Sequence, residues 1–353
     1  NAGRSCAVFI LGNFPPEKID GILILTGKGN NAGDGFVIAR QLALKGFRVN
    51  LGMVFAEDQL TGIARENFDI LKAMSNSGVN IFTCESVDDL RKKVVSTPHL
   101  LADCIFGTGF KGKLEGAAVE IIEESNAMND VTRIAIDIPS GLTGHIQDGI
   151  CFNADLTLTM GALKLECLFH DGRKSSGEVH VMNIGIPDSE FLKRGIGIVQ
   201  TEIGDIADGI FSRDVTSNKY TNGKVLLISG SPGLTGATYL SAMSAARTGC
   251  GAVIAAVPKS VFSVMEAKLT EVMKLQLADN AYGSISYRAY DQIREKLDWA
   301  DVILIGPGLS KNEESMELVR RIIIENGGKR FVIDADAVYA FKGFSNLLKG
   351  KDA

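Results

Sequence analysis

The chain has 353 residues, an acidic charge balance and the composition of a globular protein. The length predicts two domains. Hydrophobic residues make up 45% and charged residues 22%, which predicts a globular fold with a sizeable core. The formal net charge of -5 excludes the broad basic surface used to bind nucleic acid or anionic membranes, so neither is expected as a partner. No apolar run reaches the about 18 residues of a membrane span. Six scattered cysteines are typical of reduced thiols in a cytoplasmic protein.

Strand and helix patterns alternate through the first part of the chain. The first residues resemble the interior of a helix. Short apolar runs predict strands at residues 21–26, 49–55, 100–105 and 134–138, and residues 33–46 have helical spacing that ends at a glycine. Apolar strands separated by helices are buried on both faces. This part is therefore expected to form a doubly wound α/β domain with a parallel sheet.

A second α/β series follows a polar stretch near residues 210–223. Strands are expected at residues 224–229, 252–257, 301–305 and 330–334, with a helix at residues 236–248. The change in pattern predicts a first domain of residues 1–211 and a second domain of residues 212–353. Because its last strand is followed by one predicted helix, the second domain is expected to be incomplete in these residues.

The strongest local signal is a glycine-rich loop at residues 27–35, between the first predicted strand and helix. Glycines let backbone N–H groups approach a phosphate, and the helix N-terminus favours an anion. The loop also fits the dinucleotide-binding fingerprint loosely, which by itself is a weak signal. A turn with a helix cap would explain Asn30 or Asp34. It would not explain the whole string, which points to a polar ligand.

Polar loops also follow two further predicted strands. Asp103 precedes the glycine-rich residues 107–113, and Asp137 precedes Pro139, Ser140 and Gly141. In open α/β sheets, ligands bind outside the carboxyl ends of the strands. Each aspartate alone could be a turn or cap residue. The three loops together predict one ligand-binding crevice.

The motifs GNNAGDG, DCIFGTG and DIPSGLTG, in this order and spacing, resemble the NAD(P)H-hydrate epimerase domain, over about residues 1–210. The resemblance implies a Rossmann-like fold and interconversion of the R and S hydrates of NADH and NADPH. It implies that Asp137 contacts the nicotinamide hydrate, and we assign Asp137 as the catalytic acid or base. It implies a potassium ion held by Asn31, Asp103 and Ser140, all oxygen donors suited to a hard cation. The implied substrate-binding residues are Asn30, Asn31, Ala32, Gly33, Asp34, Gly107, Thr108, Gly109, Phe110, Lys111, Gly112, Lys113 and Asp137.

The chain departs from this family pattern at three places. Ala32 stands where the family usually has glycine, and Ala118 stands where relatives carry a ligand-contacting tyrosine. Residues 159–164 differ from a more usual Pro-Lys-x-Gly ending. Three lysines are candidates for holding phosphates or for solvated surface: Lys111, Lys113 and Lys164.

Residues 220–251, 305–309 and 333–337 resemble the NAD(P)H-hydrate dehydratase domain, which has a ribokinase-like fold. This resemblance covers about residues 212–353. It implies that Ala237 and Gly308 contact the hydrated nucleotide, and that ADP, with or without Mg²⁺, drives dehydration of the S hydrate. The family's Thr-Pro-His-x-Gly-Glu segment and Gly-x-Gly-Asp loop are not among these residues. Dehydratase activity of the 353 residues is therefore not expected.

Two other functions remain open at the level of sequence. A ribokinase-like fold also hosts small-molecule kinases, although a kinase would leave the first 210 residues unexplained. An epimerase-like domain can also serve as a non-enzymatic scaffold, but Asn31, Asp103, Asp137 and Ser140 are all retained. The four histidines show no shared zinc-ligand spacing. The leading hypothesis is a nicotinamide nucleotide repair enzyme that acts on hydrated NADH and NADPH as a homo-oligomer.

Overall fold

The computed structural model describes residues 1–19, 21–74, 78–94, 96–142, 149–194, 198–207 and 215–350. Contacts between residues divide the chain into two compact units, residues 1–199 and 200–353. The boundary expected at residues 211 and 212 lies outside the described residues, so it stays a prediction.

The first unit contains a seven-stranded sheet in the order β3-β2-β1-β4-β5-β6-β7. Every neighbouring pair of strands is parallel. The order reverses between β1 and β4, so a crevice opens there at the carboxyl ends of the strands. The strands are β1 Ile22–Thr26, β2 Val49–Met53, β3 Val79–Thr83, β4 Leu100–Cys104, β5 Thr132–Ile136, β6 Leu156–Met160 and β7 Glu178–Met182.

Helices cover both faces of this sheet, because its central strands bury side chains on both sides. One core joins Ile24 and Leu51 to Phe36 and Phe68 of the helices. The other joins Leu23 and its neighbours to the helix that follows β4. The helices are α1 Ala2–Asn13, α2 Asn30–Ala43, α3 Gly62–Ala73, α4 Val87–Lys93, α5 Ala117–Ala127, α6 Leu165–Leu168, α7 Gly172–Ser175 and α8 Asp188–Lys193.

The second unit contains a five-stranded parallel sheet in the order β10-β9-β8-β11-β12. Its strand order reverses between β8 and β11, which creates a second crevice of the same type. The strands are β8 Lys224–Ile228, β9 Ala252–Pro258, β10 Met273–Leu277, β11 Val302–Ile305 and β12 Arg330–Ile333. The helices are α9 Ile203–Ala207, α10 Thr235–Arg247, α11 Lys259–Lys268, α12 Tyr290–Trp299, α13 Glu313–Glu325 and α14 Asp336–Tyr339.

The expected α/β class and the parallel strands at the predicted positions are confirmed, with boundaries shifted by a few residues. Helix α2 begins at Asn30 rather than Gly33, because the asparagines form its first turn after Gly29. Four strands were not predicted: β3, β6, β7 and β10. Polar residues interrupt their apolar patterns, as in Leu-Thr-Leu-Thr-Met of β6. None of the helices that the structure describes is both long and apolar enough to cross a membrane.

Candidate active site

A cavity of about 720 Å³ lies at the switch point of the first sheet. The residues that line it come mainly from the loops after β1, β4, β5 and β6. Their convergence follows from the parallel strand order, which brings all four carboxyl ends to one edge. The lining residues are Lys28, Gly29, Asn30, Asn31, Asp34, Ile105, Phe106, Gly107, Thr108, Gly109, Phe110, Lys111, Asp137, Met160 and Lys164.

Helix α2 reaches this edge because small residues allow it to approach the sheet. A Cβ atom at Gly35 would lie 2.8 Å from Thr26 Cγ2 and 2.9 Å from Cys104 Cβ. The close approach places the N-terminus of α2 beside the loop that follows β4. The N–H groups of a first helical turn have no partners within the helix, so they are suited to bind an anion.

Asp137 directly follows β5 and lines the cavity. Its Oδ1 lies 2.9 Å from Nζ of Lys164, and its Oδ2 accepts the N–H of Thr108 at 3.0 Å. The side chain is 14% exposed, so it is shielded yet borders the space that a ligand would fill. The backbone φ of 72° is in the left-handed region. A carboxylate held in this way can exchange a proton with a bound ligand.

Asp103 and Ser140 lie behind the cavity, fully buried. Oδ1 of Asp103 accepts the Ser140 hydroxyl at 2.7 Å and the Ile105 N–H at 3.0 Å, and Oδ2 accepts the Ser140 N–H at 2.7 Å. Burial raises the pKa of Asp103 to about 6, although these hydrogen bonds oppose the shift. The Phe106 N–H in turn donates to Ser140 Oγ at 2.8 Å. These contacts tie the loops after β4 and β5 together.

Asn31 completes the group of oxygen donors. Its Nδ2 donates to the carbonyl oxygens of Phe106 at 2.8 Å and Ile136 at 3.1 Å. Its Oδ1 is buried and has no hydrogen-bond partner among the described residues. An unpartnered buried oxygen is costly and calls for a ligand. The donor set therefore fits a hard cation such as potassium.

Besides lining the cavity, Asp34 connects two helices. Its Oδ1 accepts the N–H of Gly3 at 2.9 Å, which fastens the first turn of α1 to α2. Burial raises the pKa of Asp34, and the hydrogen bond from Gly3 acts in the opposite direction.

Most of the substrate-binding residues expected from the sequence line the cavity, but four do not. Ala32 and Gly33 are buried in α2, where a Cβ on Gly33 would lie 3.3 Å from Ala64 Cα. Gly112 lines a neighbouring cavity of about 450 Å³, and Lys113 is exposed outside both. The residues that line the main cavity are Asn30, Asn31, Asp34, Gly107, Thr108, Gly109, Phe110, Lys111 and Asp137.

Sequence reasoning missed five lining residues: Lys28, Gly29, Ile105, Phe106 and Met160. Lys28 and Phe106 lie in the strand-end loops at residues 27–35 and 103–109. Their position in these loops could therefore have marked them as lining residues. Met160 ends β6, which the sequence pattern did not reveal. Lys164 was considered as a phosphate-binding residue or as solvated surface, whereas its ammonium contacts Asp137.

In the second unit, the structure brings Ala237 and Gly308 together. A Cβ atom at Gly308 would lie 3.2 Å from Ala237 Cβ and 2.7 Å from the Leu234 carbonyl oxygen, and its φ is 69°. The Ser231 hydroxyl donates to the Gly308 carbonyl at 2.9 Å. Both residues follow the central strands β8 and β11. They therefore lie at the switch point of the second sheet, where ligands bind in this architecture.

Two family models match the chain. The model of the YjeF-related protein N-terminus matches residues 1–166, and the model of NAD(P)H-hydrate dehydratase matches residues 225–349. In addition, a crystal structure of a yeast protein is 24% identical over 58% of this chain and 85% of that chain, with a TM-score of 0.45. That structural likeness is too weak to carry an argument.

Curated relatives match across both units. The bifunctional NAD(P)H-hydrate repair enzyme of Moorella thermoacetica is 34% identical over 93% of this chain and 62% of its own length. The enzyme of the same name from Dictyoglomus turgidum is 34% identical over all of this chain and 68% of its own length. The chain thus spans about two thirds of the relatives it matches. The two loop clusters, the two family matches and these relatives agree: the chain belongs to the family of bifunctional NAD(P)H-hydrate repair enzymes.

Proposed function

We propose that the first unit interconverts the R and S hydrates of NADH and NADPH. The observation that carries this proposal is the Asp137 carboxylate, which borders a cavity built from strand-end loops. The cavity of about 720 Å³ is within the usual size of small-molecule sites. The N-terminus of α2, together with Lys28 and Lys111 on the lining, supplies positive charge for the phosphates.

The hydrated ring carries a hydroxyl group on C6, next to the ring nitrogen N1. Asp137 takes the proton of this hydroxyl, and the released electron pair forms the C6=O bond. The C6–N1 bond breaks, its electron pair moves to N1, and N1 receives the proton from Asp137. Rotation about the C5–C6 bond and the reverse addition give the other hydrate. A positioned acid or base accelerates such proton transfers by about 10²–10⁴-fold.

We also propose that Asn31, Asp103 and Ser140 hold a potassium ion. The buried, unpartnered Oδ1 of Asn31 supports this proposal, because it adds an unused acceptor to a group of oxygen donors. When bound, the ion supplies a positive charge that balances Asp103. Asn31 and Ser140 then fix the loop after β4 through Phe106.

The second unit belongs to the same repair function in this proposal. Its family activity is the dehydration of the S hydrate, for which we propose ADP, with or without Mg²⁺, as co-substrate, and Ala237 and Gly308 as substrate contacts. A small-molecule kinase would give the site of the first unit no role. A scaffold without catalysis would not need the polar contacts that hold Asp137. Assembly as a homo-oligomer stays a prediction.

The test follows the conversion of purified R hydrate into S hydrate by chromatography, with the spontaneous rate subtracted. We expect the 353-residue chain to accelerate this conversion. Asp137→Asn should lose about 10²–10⁴-fold in rate and keep its circular dichroism and thermal midpoint. Asp130→Asn is the matched control, since Asp130 is an exposed aspartate that also has a positive φ, 56°. A wild-type chain that does not accelerate the conversion would refute the proposed function.

A further inference from the structure

Lys164 follows β6 and has an unusual environment for a cavity lysine. Its Nζ lies 2.9 Å from Asp137 Oδ1, 2.8 Å from Thr159 Oγ1 and 3.0 Å from the Met160 carbonyl oxygen. An ammonium group has three N–H donors and no acceptor. All three donors of Lys164 are therefore used within the protein, and its side chain is only 18% exposed.

The other two lysines of the cavity differ in this respect. Nζ of Lys28 contacts the Gln59 side-chain oxygen at 3.2 Å and lies 4.9 Å from the centre of the Phe55 ring. Lys111 is exposed. Both can turn toward a phosphate without breaking an ion pair. Lys164 would have to give up three contacts to do so, hence phosphate binding is an unfavourable role for it.

The carboxylate of Asp137 is held from two sides by two different loops. Lys164, after β6, contacts Oδ1, and the N–H of Thr108, after β4, contacts Oδ2. Both partners are donors, so the two oxygens are held as acceptors. Holding a reacting group in a fixed orientation supplies a large part of an enzyme's rate acceleration. With only one of these two donors, the Asp137 side chain would be free to rotate about its χ torsion angles.

We propose that Lys164 is the positioning residue for Asp137. It holds the carboxylate in one orientation toward the cavity, and it acts through Asp137 rather than on the substrate. This proposal rests on the proposed function, in which Asp137 exchanges the proton of the hydrate.

The test measures kcat and KM of epimerisation for the 353-residue chain and for Lys164→Ala. We expect kcat to fall by about 10–100-fold, because misplacement of a reacting group has this effect. KM should stay within about threefold, since the contact that is lost does not reach the substrate. Lys111→Ala should have the opposite effect on the two constants, with KM raised and kcat retained.

Lys72→Ala is the matched control for the loss of an ion pair. Lys72 pairs with Glu57 at the same 2.9 Å, but its side chain is 49% exposed and it does not line the cavity. Both kinetic constants should be unchanged. Ethylammonium added to Lys164→Ala should restore part of kcat by occupying the vacated ammonium site, whereas it should not restore Asp137→Asn.

Three results would overturn the proposal. In the first, Lys164→Ala raises KM and leaves kcat unchanged, which would make Lys164 a substrate-binding residue. In the second, kcat falls but ethylammonium restores none of it. In the third, the wild-type chain does not epimerise the hydrate at all, and the proposed function then fails as well.

If Lys164→Ala does not fold, Lys164→Met is measured in its place. Methionine keeps the packing of the side-chain stem, and the variant is judged by the same kcat criterion.

Discussion

Asp137 is held in a left-handed backbone conformation, with a φ of 72°. For residues other than glycine, such a conformation costs about 1–3 kcal/mol and persists only when the surrounding structure imposes it. Aspartate tolerates the conformation better than most residues, because its short polar side chain finds local partners. The partners of Asp137 are instead distant in sequence, namely the N–H of Thr108 and the ammonium of Lys164. The site thus holds its reacting group in place through two loops that are distant in sequence.

At the same scale, the cation site can be tested through stability. At equal ionic strength, replacing tetramethylammonium chloride with potassium chloride should raise the thermal midpoint of the wild-type chain. A ligand that binds only the folded state contributes about 2.7 kcal/mol at 100 times its Kd. Asn31→Ala should lose most of this increment, because it removes the unpartnered buried oxygen.

Asn80→Ala is the control for this experiment, since Asn80 forms an exposed amide pair with Asn50 at 2.9 Å. It should keep the full potassium increment. An unchanged increment in Asn31→Ala would show that the ion binds elsewhere. Anomalous scattering from rubidium or thallium would then locate it independently.

At the scale of the element, α2 carries much of the site on its first five residues. Asn30, Asn31 and Asp34 all line the cavity from this helix. Gly29 caps the helix without a side-chain hydrogen bond. The N–H groups of Ala32 and Gly33 donate to the Gly29 carbonyl at 3.0 and 3.3 Å, so among the described residues those of Asn30 and Asn31 are left to bind an anion. The position of the helix along the sheet therefore sets the position of the ligand.

Two glycines inside helices test this packing. A Cβ on Gly35 of α2 would lie under 3.0 Å from side-chain atoms of Thr26 and Cys104, whereas a Cβ on Gly12 of α1 would meet nothing within 4 Å. Gly35→Ala should lower the free energy of unfolding by about 1–3 kcal/mol through overpacking. Gly12→Ala should raise it by about 0.5–1 kcal/mol, since alanine favours the helix. Urea denaturation measures both. Equal effects of the two changes would show that α2 does not need this close approach.

At the scale of the whole molecule, each unit has its own sheet and its own buried clusters. The cavity that contains Asp137 lies within residues 1–199. All the described residues that line this cavity belong to the first unit.

This separation predicts different effects of two matched core substitutions. Ile24 and Ile303 are both fully buried on central strands, one in each unit. Each change to alanine should destabilise its own unit by about 2–5 kcal/mol. On heating, Ile24→Ala should lose epimerisation at a lower temperature than the wild type, and Ile303→Ala should keep the wild-type profile. Loss of epimerisation at the same lowered temperature in both variants would show that the two units unfold together.

The amino-acid sequence alone determined the fold class, the two-part organisation and three of the four loops that line the cavity. These features are local, because apolar spacing defines strands and helices, and glycines with aspartates mark the ends of parallel strands. The match of three motifs in order also predicted roles for Asp137, Asp103 and Ser140, and these roles stay predictions. Apolar spacing did not predict the strands that polar residues interrupt, such as β6.

Tertiary structure alone decided which side chains meet. Lys164 contacts Asp137 only because β6 lies beside β5 in the sheet, and no spacing along the chain encodes that neighbour. In the same way, burial left Asn31 Oδ1 without a partner among the described residues, and it removed Ala32 and Gly33 from the cavity wall. Contacts between distant residues depend on strand order and on desolvation, which arise only when the chain is packed.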